Sequence, residues 1–322
     1  MRTLLLQPPP QTQDHKRIDF KPHNMLNITK EFKEKVVQAL ITVRENYDGS
    51  DKTFAKQYGI AGPVYSRLKS GELDGLLKDT HWLSLGRELD ISQGSRKWKM
   101  AKTEVFVEIQ EDIIFCQNNA KAMIRVDDCG IGKTFSGKYL SKTLRNCFYV
   151  DCSQGKGVIQ FIKLVGAAIG VDTGQRLALI KADIKYYLKN LPNPVVILDE
   201  AGDLKQGEFL IIKELWNATE NACGWYMMGA EGLETIMNKG MRSHNPGFRE
   251  VFSRFSEKYS STAPKGKEAK QQFYRKLITD VLVVNMEDQT ELESILLKSL
   301  TETQPGQIGG LRRAESLLIL NS

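Results

Sequence analysis

The sequence predicts an α/β fold: a parallel sheet wrapped by helices, preceded by an all-helical module and followed by a small helical C-terminal piece. Three observations predict it. From residue 105 to about 230, short apolar runs alternate with helix-length amphipathic stretches, the pattern of βα units in a parallel sheet. Residues 29–92 carry only three- and four-residue apolar spacings punctuated by glycines, as short packed helices do. The composition, 41% hydrophobic and 26% charged over 322 residues, is that of a globular chain with room for two or three domains.

The elements follow in order. Residues 1–28 are polar and proline-bearing and read as a flexible arm. A first helix follows Thr29, a natural cap, with Phe32, Val36, Val37, Leu40 and Ile41 on one face. A second runs from Asp51 to Tyr58 and stops at Gly59; a third runs from about Pro63 to Ser70 and stops at Gly71. Shorter helical stretches are expected over Leu73–Lys78 and His81–Leu89, then a linker over 93–104. Beyond it, helix 105–118 leads to strand Ala122–Val126, a helix from Lys133, strand Cys147–Asp151, helices 157–169 and 175–190, and strand Val195–Leu198. That last strand is apolar throughout, as one buried on both faces should be. Helix 207–221 and strand Trp225–Met228 complete the series. A core over 105–280 and a helical lid over 281–322 are expected, the lid carrying helices Leu292–Leu300 and Leu311–Leu320.

Charge and cysteine usage narrow the function classes. The net charge is +6, and the excess is concentrated. Residues 1–104 hold 18 Lys/Arg against 13 Asp/Glu, and residues 252–276 hold 7 against 2. Two basic zones on a near-neutral body suggest an anionic partner. The five cysteines form no Cys-x-x-Cys pair, so neither a disulfide framework nor a zinc site is expected, and a reducing cytoplasm is the expected location. No apolar run is long enough for a membrane helix, and the apolar start is too short for a signal peptide.

The chemistry is concentrated in two motifs. Strand 122–126 runs into Asp127-Asp128-Cys129-Gly130-Ile131-Gly132-Lys133-Thr134, with Phe135 beginning the helix behind. This is nearly the phosphate loop Gly-x-x-x-x-Gly-Lys-[Ser/Thr] in its strand–loop–helix setting. The glycines let bare backbone N–H groups curl around phosphate oxygens at a helix N-terminus. Lys133 would reach the β- and γ-phosphates of ATP, and Thr134 would offer an oxygen to Mg²⁺. The first position of the pattern holds Asp127 in place of glycine, which sets a carboxylate beside phosphate charge. Asp is one of the few residues to tolerate left-handed geometry there. The second motif, Val195-Val-Ile-Leu-Asp199-Glu200, has the form of a Walker B strand. Asp199 would hold the metal's water shell and Glu200 would orient or deprotonate the attacking water.

These motifs, with Ser253-Arg254-Phe255 and Gly309-Gly-Leu-Arg312-Arg313-Ala314, resemble the AAA+ ATPases, and within them the transposition target selectors typified by the phage Mu B protein. The resemblance covers about residues 29–320. It implies a P-loop NTPase core and a head-to-tail helical oligomer wound on double-stranded DNA, which marks target DNA and recruits a transposase. It implies that Arg254 reaches into a neighbouring subunit's nucleotide, with Arg249 the other candidate. It implies that Arg312 or Arg313 senses the γ-phosphate from the lid, where a guanidinium stabilises developing charge. The polar sensor expected near Met228-Gly-Ala230-Glu231 is replaced by alanine, which implies slow, partner-stimulated hydrolysis. Basic residues between the two motifs, Lys156, Arg176, Lys181 and Lys185, are the candidates facing DNA.

Residues 52–72 resemble the repressor-type helix-turn-helix, a module that the resemblance also places before the ATPase core. Ala55 permits close helix crossing, and Ile60, Val64 and Leu68 should pack inward. Tyr65, Ser66, Arg67 and Lys69 would then lie on or beside the face that meets DNA. An operator-binding regulator and a helicase loader share such parts and are the alternatives.

Overall fold

The computed structural model describes residues 28–45, 47, 49–89, 91–92, 98–304 and 307–320. The expected arm, apart from residue 28, and residues 93–97 of the expected linker lie outside them. The chain begins with four helices, α1 (Lys30–Glu45), α2 (Asp51–Gln57), α3 (Gly62–Lys69) and α4 (Asp79–Glu88). Thr29 caps α1 by accepting from the Phe32 amide at 3.2 Å. Gly59 (φ +66°) makes the turn between α2 and α3. The expected helix over Leu73–Lys78 does not form. Gly75 (φ +70°) sits in a turn there, a conformation that glycine adopts freely and that ends helical propagation. The four helices close on their own core, with Phe32, Val36, Leu40, Phe54, Trp82 and Leu85 among its buried residues. The module meets the rest of the protein where Gln57 donates to the Gly170 carbonyl at 3.2 Å.

The larger part follows the expected alternation closely: α5 (Glu104–Asn119), β1 (Ala122–Val126), α6 (Lys133–Thr143), β2 (Cys147–Asp151), α7 (Val158–Ile169), α8 (Leu177–Asn190), β3 (Val195–Asp199), α9 (Gln206–Ala218), β4 (Gly224–Gly229), α10 (Glu231–Arg242), α11 (Phe248–Arg254) and β5 (Tyr259–Ser260). The sheet order is β2-β3-β4-β1-β5 and every pairing is parallel. Strand residues alternate between two cores, as the two-residue period of a strand requires. Ile124, Val196, Leu198, Trp225 and Met227 join the core under α7 to α11. Val195, Ile197, Tyr226 and Met228 join the core under α5, α6 and the C-terminal helices. All five residues of β3 are buried.

The C-terminal part comprises α12 (Lys267–Asn285), α13 (Leu292–Leu300), the hairpin β6 (Glu302–Gln304) and β7 (Gln307–Ile308), and α14 (Leu311–Leu320). The boundary expected at 280/281 falls inside α12, which runs unbroken through Val281–Val284. Residues of α12, α13 and α14 share one core with α5 and α6, so the lid is seated on the sheet. Among the described residues no helix is long and apolar enough to cross a membrane.

Candidate functional site

The carboxyl end of β1 opens into the phosphate loop, at the end of a parallel sheet where open α/β folds bind ligands. Gly130 (φ +74°) and Gly132 (φ +101°) hold left-handed backbone, which explains why these positions are glycine. Ile131 between them is buried and anchors the loop. Lys133 begins α6 and folds back, donating to the carbonyls of Asp127 at 2.8 Å and Asp128 at 2.6 Å. Burial pushes its amine below the usual lysine range. Thr134 is half-buried, and Cys129 and Phe135 are exposed.

Asp127 does not behave as its place in the motif suggested. Its backbone is not left-handed, and its amide continues the β1–β4 ladder by donating to the Gly229 carbonyl at 3.1 Å. Its carboxylate points beneath the loop. It accepts from the amides of Thr262 at 2.6 Å, Ala263 at 3.1 Å and Asp128 at 3.1 Å, and from the Ser261 hydroxyl at 3.2 Å. The buried Arg125 lies 3.5 Å away. Arg125 also pairs with Asp112 at 2.7 Å and Glu108 at 3.1 Å and donates to the Tyr226 hydroxyl at 2.8 Å. Burial acts against its charge, yet Tyr226 and Asp112 hold its pKa above the usual value. A buried guanidinium is tolerable only with such a set of acceptors.

Asp128 is likewise turned away from the phosphate position. It pairs with Lys270 at 2.6 Å and accepts from the Tyr274 hydroxyl at 2.9 Å, both on α12. Burial and this carboxylate raise the Tyr274 phenol. Its backbone, not its side chain, is therefore what it can offer a nucleotide.

At the end of β3, Asp199 is buried and accepts from the Tyr149 hydroxyl at 2.6 Å and the Glu200 amide at 2.9 Å. Glu200 is exposed, with φ +50°. Partial desolvation at the rim of the cleft and the adjacent Asp199 carboxylate raise its pKa. Lys133, Thr134, Glu200, Ala230 and Arg312 line a single cavity of about 370 Å³. Ala230, at the expected sensor place, presents only a methyl group to it.

The lid closes this cavity. The Leu311 amide donates to the Gly130 carbonyl at 2.8 Å, so the N-terminus of α14 rests on the phosphate loop. The structure separates the two lid arginines. Arg312 is exposed and lines the cavity. Arg313 donates to the Thr301 carbonyl at 3.0 Å and does not line the cavity. The same cavity is lined by Trp98, Lys99, Phe106, Phe135, Val281 and Leu311, a largely apolar wall of the kind small-molecule pockets carry. Most of these escaped sequence reasoning, because residues far apart in the chain build this wall. Asn285 fastens one side of it, accepting from the Lys99 amide at 2.7 Å and donating to the Lys99 carbonyl at 3.1 Å.

The remaining candidates lie outside the cavity. Arg254, at the end of α11, donates to Asn217 at 2.7 Å and to the Glu250 carbonyl at 2.8 Å, and its guanidinium lies 5.3 Å from the Trp216 ring centre. Arg249 is exposed and has no ion-pair partner among the described residues. Lys181 and Lys185 both pair with Glu214, at 2.9 and 2.5 Å, while Lys156 and Arg176 are exposed. On α3, Ser66, Arg67 and Lys69 are exposed, Arg67 pairing with Glu72 and Lys69 with Asp51. Tyr65 was expected beside them and is instead buried, with 1% exposure, its ring 5.6 Å from that of Phe54. Half-buried Val64 is less enclosed than expected.

Residues 121–237, from the start of β1 into α10, match a family described as AAA domain. With the parallel sheet, the match fits an AAA+ P-loop fold and supports a nucleotide-dependent ATPase in general. No curated protein matches the chain.

Proposed function

We propose that the protein is an ATPase of the transposition target-selector kind. It binds double-stranded DNA without reading sequence, assembles on it head to tail, and recruits a transposase. The observation that carries this reading is the composition of one cavity. Lys133, Thr134, Glu200 and the lid's Arg312 converge there, while the arginines of α11 lie outside it. A site with its loop, acid and lid in one chain, and the candidate guanidiniums of α11 outside the cavity, suits a nucleotide sandwiched between subunits. Contacts of that kind, repeated without closing, build filaments.

The donor set fits Mg-ATP. Loop amides and the Lys133 ammonium would receive the phosphates once Lys133 leaves the Asp127 and Asp128 carbonyls. Thr134 and Asp199 would hold Mg²⁺, which neutralises phosphate charge when bound. Tyr149 keeps the Asp199 carboxylate oriented. Glu200 would take the proton of the attacking water, and Arg312 would meet γ-phosphate charge. With Ala230 in place of a polar sensor, hydrolysis by the isolated protein is expected to be slow and stimulated by the transposase. The exposed Ser66, Arg67 and Lys69 of α3 support a helix-turn-helix that meets DNA.

The test is retention of random-sequence duplex on a filter, with and without ATP. The reading expects ATP to raise retention, and Lys133→Ala to abolish that increase. Retention of one sequence only would favour an operator-binding regulator, and retention of single strands only would favour a helicase loader.

A further inference from the structure

Much of the basic zone over residues 252–276 is paired within the chain. Lys267 pairs with Glu302 at 3.1 Å, Arg275 with Glu293 at 3.2 Å and Lys276 with Glu104 at 3.1 Å. These pairs tie α12 to the hairpin, to α13 and to α5. Lys270 differs in kind, because its partner belongs to the phosphate loop. Its ammonium lies 2.6 Å from Asp128 Oδ2. One helical turn on, the Tyr274 hydroxyl donates to the same oxygen at 2.9 Å. Residues four apart share a helix face, and Tyr274 is 3% exposed, so one face of α12 grips the carboxylate.

Asp128 is also bonded at its backbone. Its carbonyl accepts from Lys133 Nζ at 2.6 Å. When phosphates take the Lys133 ammonium that bond is given up, and the carboxylate contacts are what still hold Asp128. The lid on the other side of the grip is one packed unit. Tyr274, Leu277, Ile278 and Leu282 of α12 share an apolar core with Ile295 and Leu296 of α13 and Ala314 of α14. Helix α14 starts beside the loop, its Leu311 amide donating to the Gly130 carbonyl at 2.8 Å. The next residue is Arg312, which lines the cavity. Close-packed interiors transmit displacement, so a shift of α12 against Asp128 carries α14 and Arg312 with it.

We propose that Lys270 and Tyr274 are positioning residues for recognition of the γ-phosphate. By gripping Asp128 they set the register of the lid on the phosphate loop, and so place Arg312 where it distinguishes a triphosphate from a diphosphate. The proposal rests on the ATPase reading above and gives a role to two residues outside both motifs. Loss of the grip leaves the loop's own glycines and Lys133 in place, so its effect falls on ATP more than on ADP.

The test measures, by displacement of a fluorescent nucleotide from the full-length protein, the affinities of ADP and of a slowly hydrolysed ATP analogue, each with Mg²⁺. Tyr274→Phe and Lys270→Ala are compared with wild type, each alone and combined with Arg312→Ala, after a check for a cooperative unfolding transition. Tyr274→Phe changes no charge and keeps the test open if Lys270→Ala does not fold. Each variant should lower the preference for the triphosphate about fivefold, the lower end of couplings between sites. In the Arg312→Ala background, where the preference is already reduced, neither should lower it further, because such a cycle isolates action through a shared partner. Either residue loses the role if its folded variant keeps the wild-type preference, or lowers it equally without Arg312. If Arg312→Ala itself keeps the wild-type preference, the proposal is overturned while nucleotide binding stands. If wild-type protein binds neither nucleotide, the ATPase reading fails and the proposal with it.

Discussion

Asp127 stands where phosphate loops carry their first glycine, and it uses its side chain where glycine would use only its backbone freedom. Its carboxylate gathers the Thr262 and Ala263 amides and faces Arg125, so the start of the loop is tied to the segment after β5. Replacing it with glycine restores the common motif but strands buried donors and removes one acceptor from a buried guanidinium. Asp127→Gly is therefore expected to lose on the order of 3 kcal/mol of stability. In urea unfolding this appears as a lower midpoint at unchanged slope. A variant as stable as the parent would refute the tether. Arg254 presents a second residue-scale question, because its guanidinium is already bonded to Asn217 and the Glu250 carbonyl. Arg254→Ala is expected to lower transposase-stimulated turnover about a thousandfold, the lower end of the range known for arginines acting across an interface, while nucleotide still binds. If Arg249→Ala shows that loss and Arg254→Ala does not, the trans-acting role belongs to Arg249.

At the scale of elements, the phosphate loop and the lid behave as one unit. Asp128 is held by Lys270 and Tyr274 of α12, and the Gly130 carbonyl by the Leu311 amide of α14. A Cβ on Gly310 would come within 2.8 Å of the Gly130 oxygen. Gly310→Ala should thus lift α14 from the loop and weaken binding of a fluorescent ATP analogue about tenfold, corresponding to roughly 1.4 kcal/mol. Unchanged affinity would mean that the lid seat does not matter for nucleotide. Strands β1 to β4 were legible in the sequence because each is an apolar run flanked by helix-length amphipathic stretches. The loop and the Walker B strand were legible because their chemistry is local. β5 was not, since Tyr259–Ser260 is only two residues long and neither is fully buried. Val281–Val284 looked like a boundary because an apolar run within α12 has no period of its own to betray the helix. The Tyr65 error has the same origin: one side of a seven- or eight-residue helix is too short a pattern to say which aromatic turns inward. The apolar wall of the cavity and the Asp127 tether needed contacts across more than a hundred residues.

For the whole molecule, the described residues comprise a helical module, a parallel-sheet core and a lid seated upon it, with the cavity where core and lid meet. The account gives ATP the task of joining copies of this chain along a duplex. Lys133→Ala should therefore abolish assembly as well as hydrolysis, whereas Glu200→Gln, which retains the nucleotide but lacks the base, should trap assemblies and slow turnover by at least a hundredfold. Turnover by phosphate release and assembly by sedimentation with DNA separate the two effects. The most direct test is negative-stain electron microscopy of the full-length protein with linear duplex, with and without a slowly hydrolysed ATP analogue. The account predicts continuous helical filaments along the DNA only when the analogue is present. Isolated particles in both conditions, or filaments indifferent to nucleotide, would contradict it.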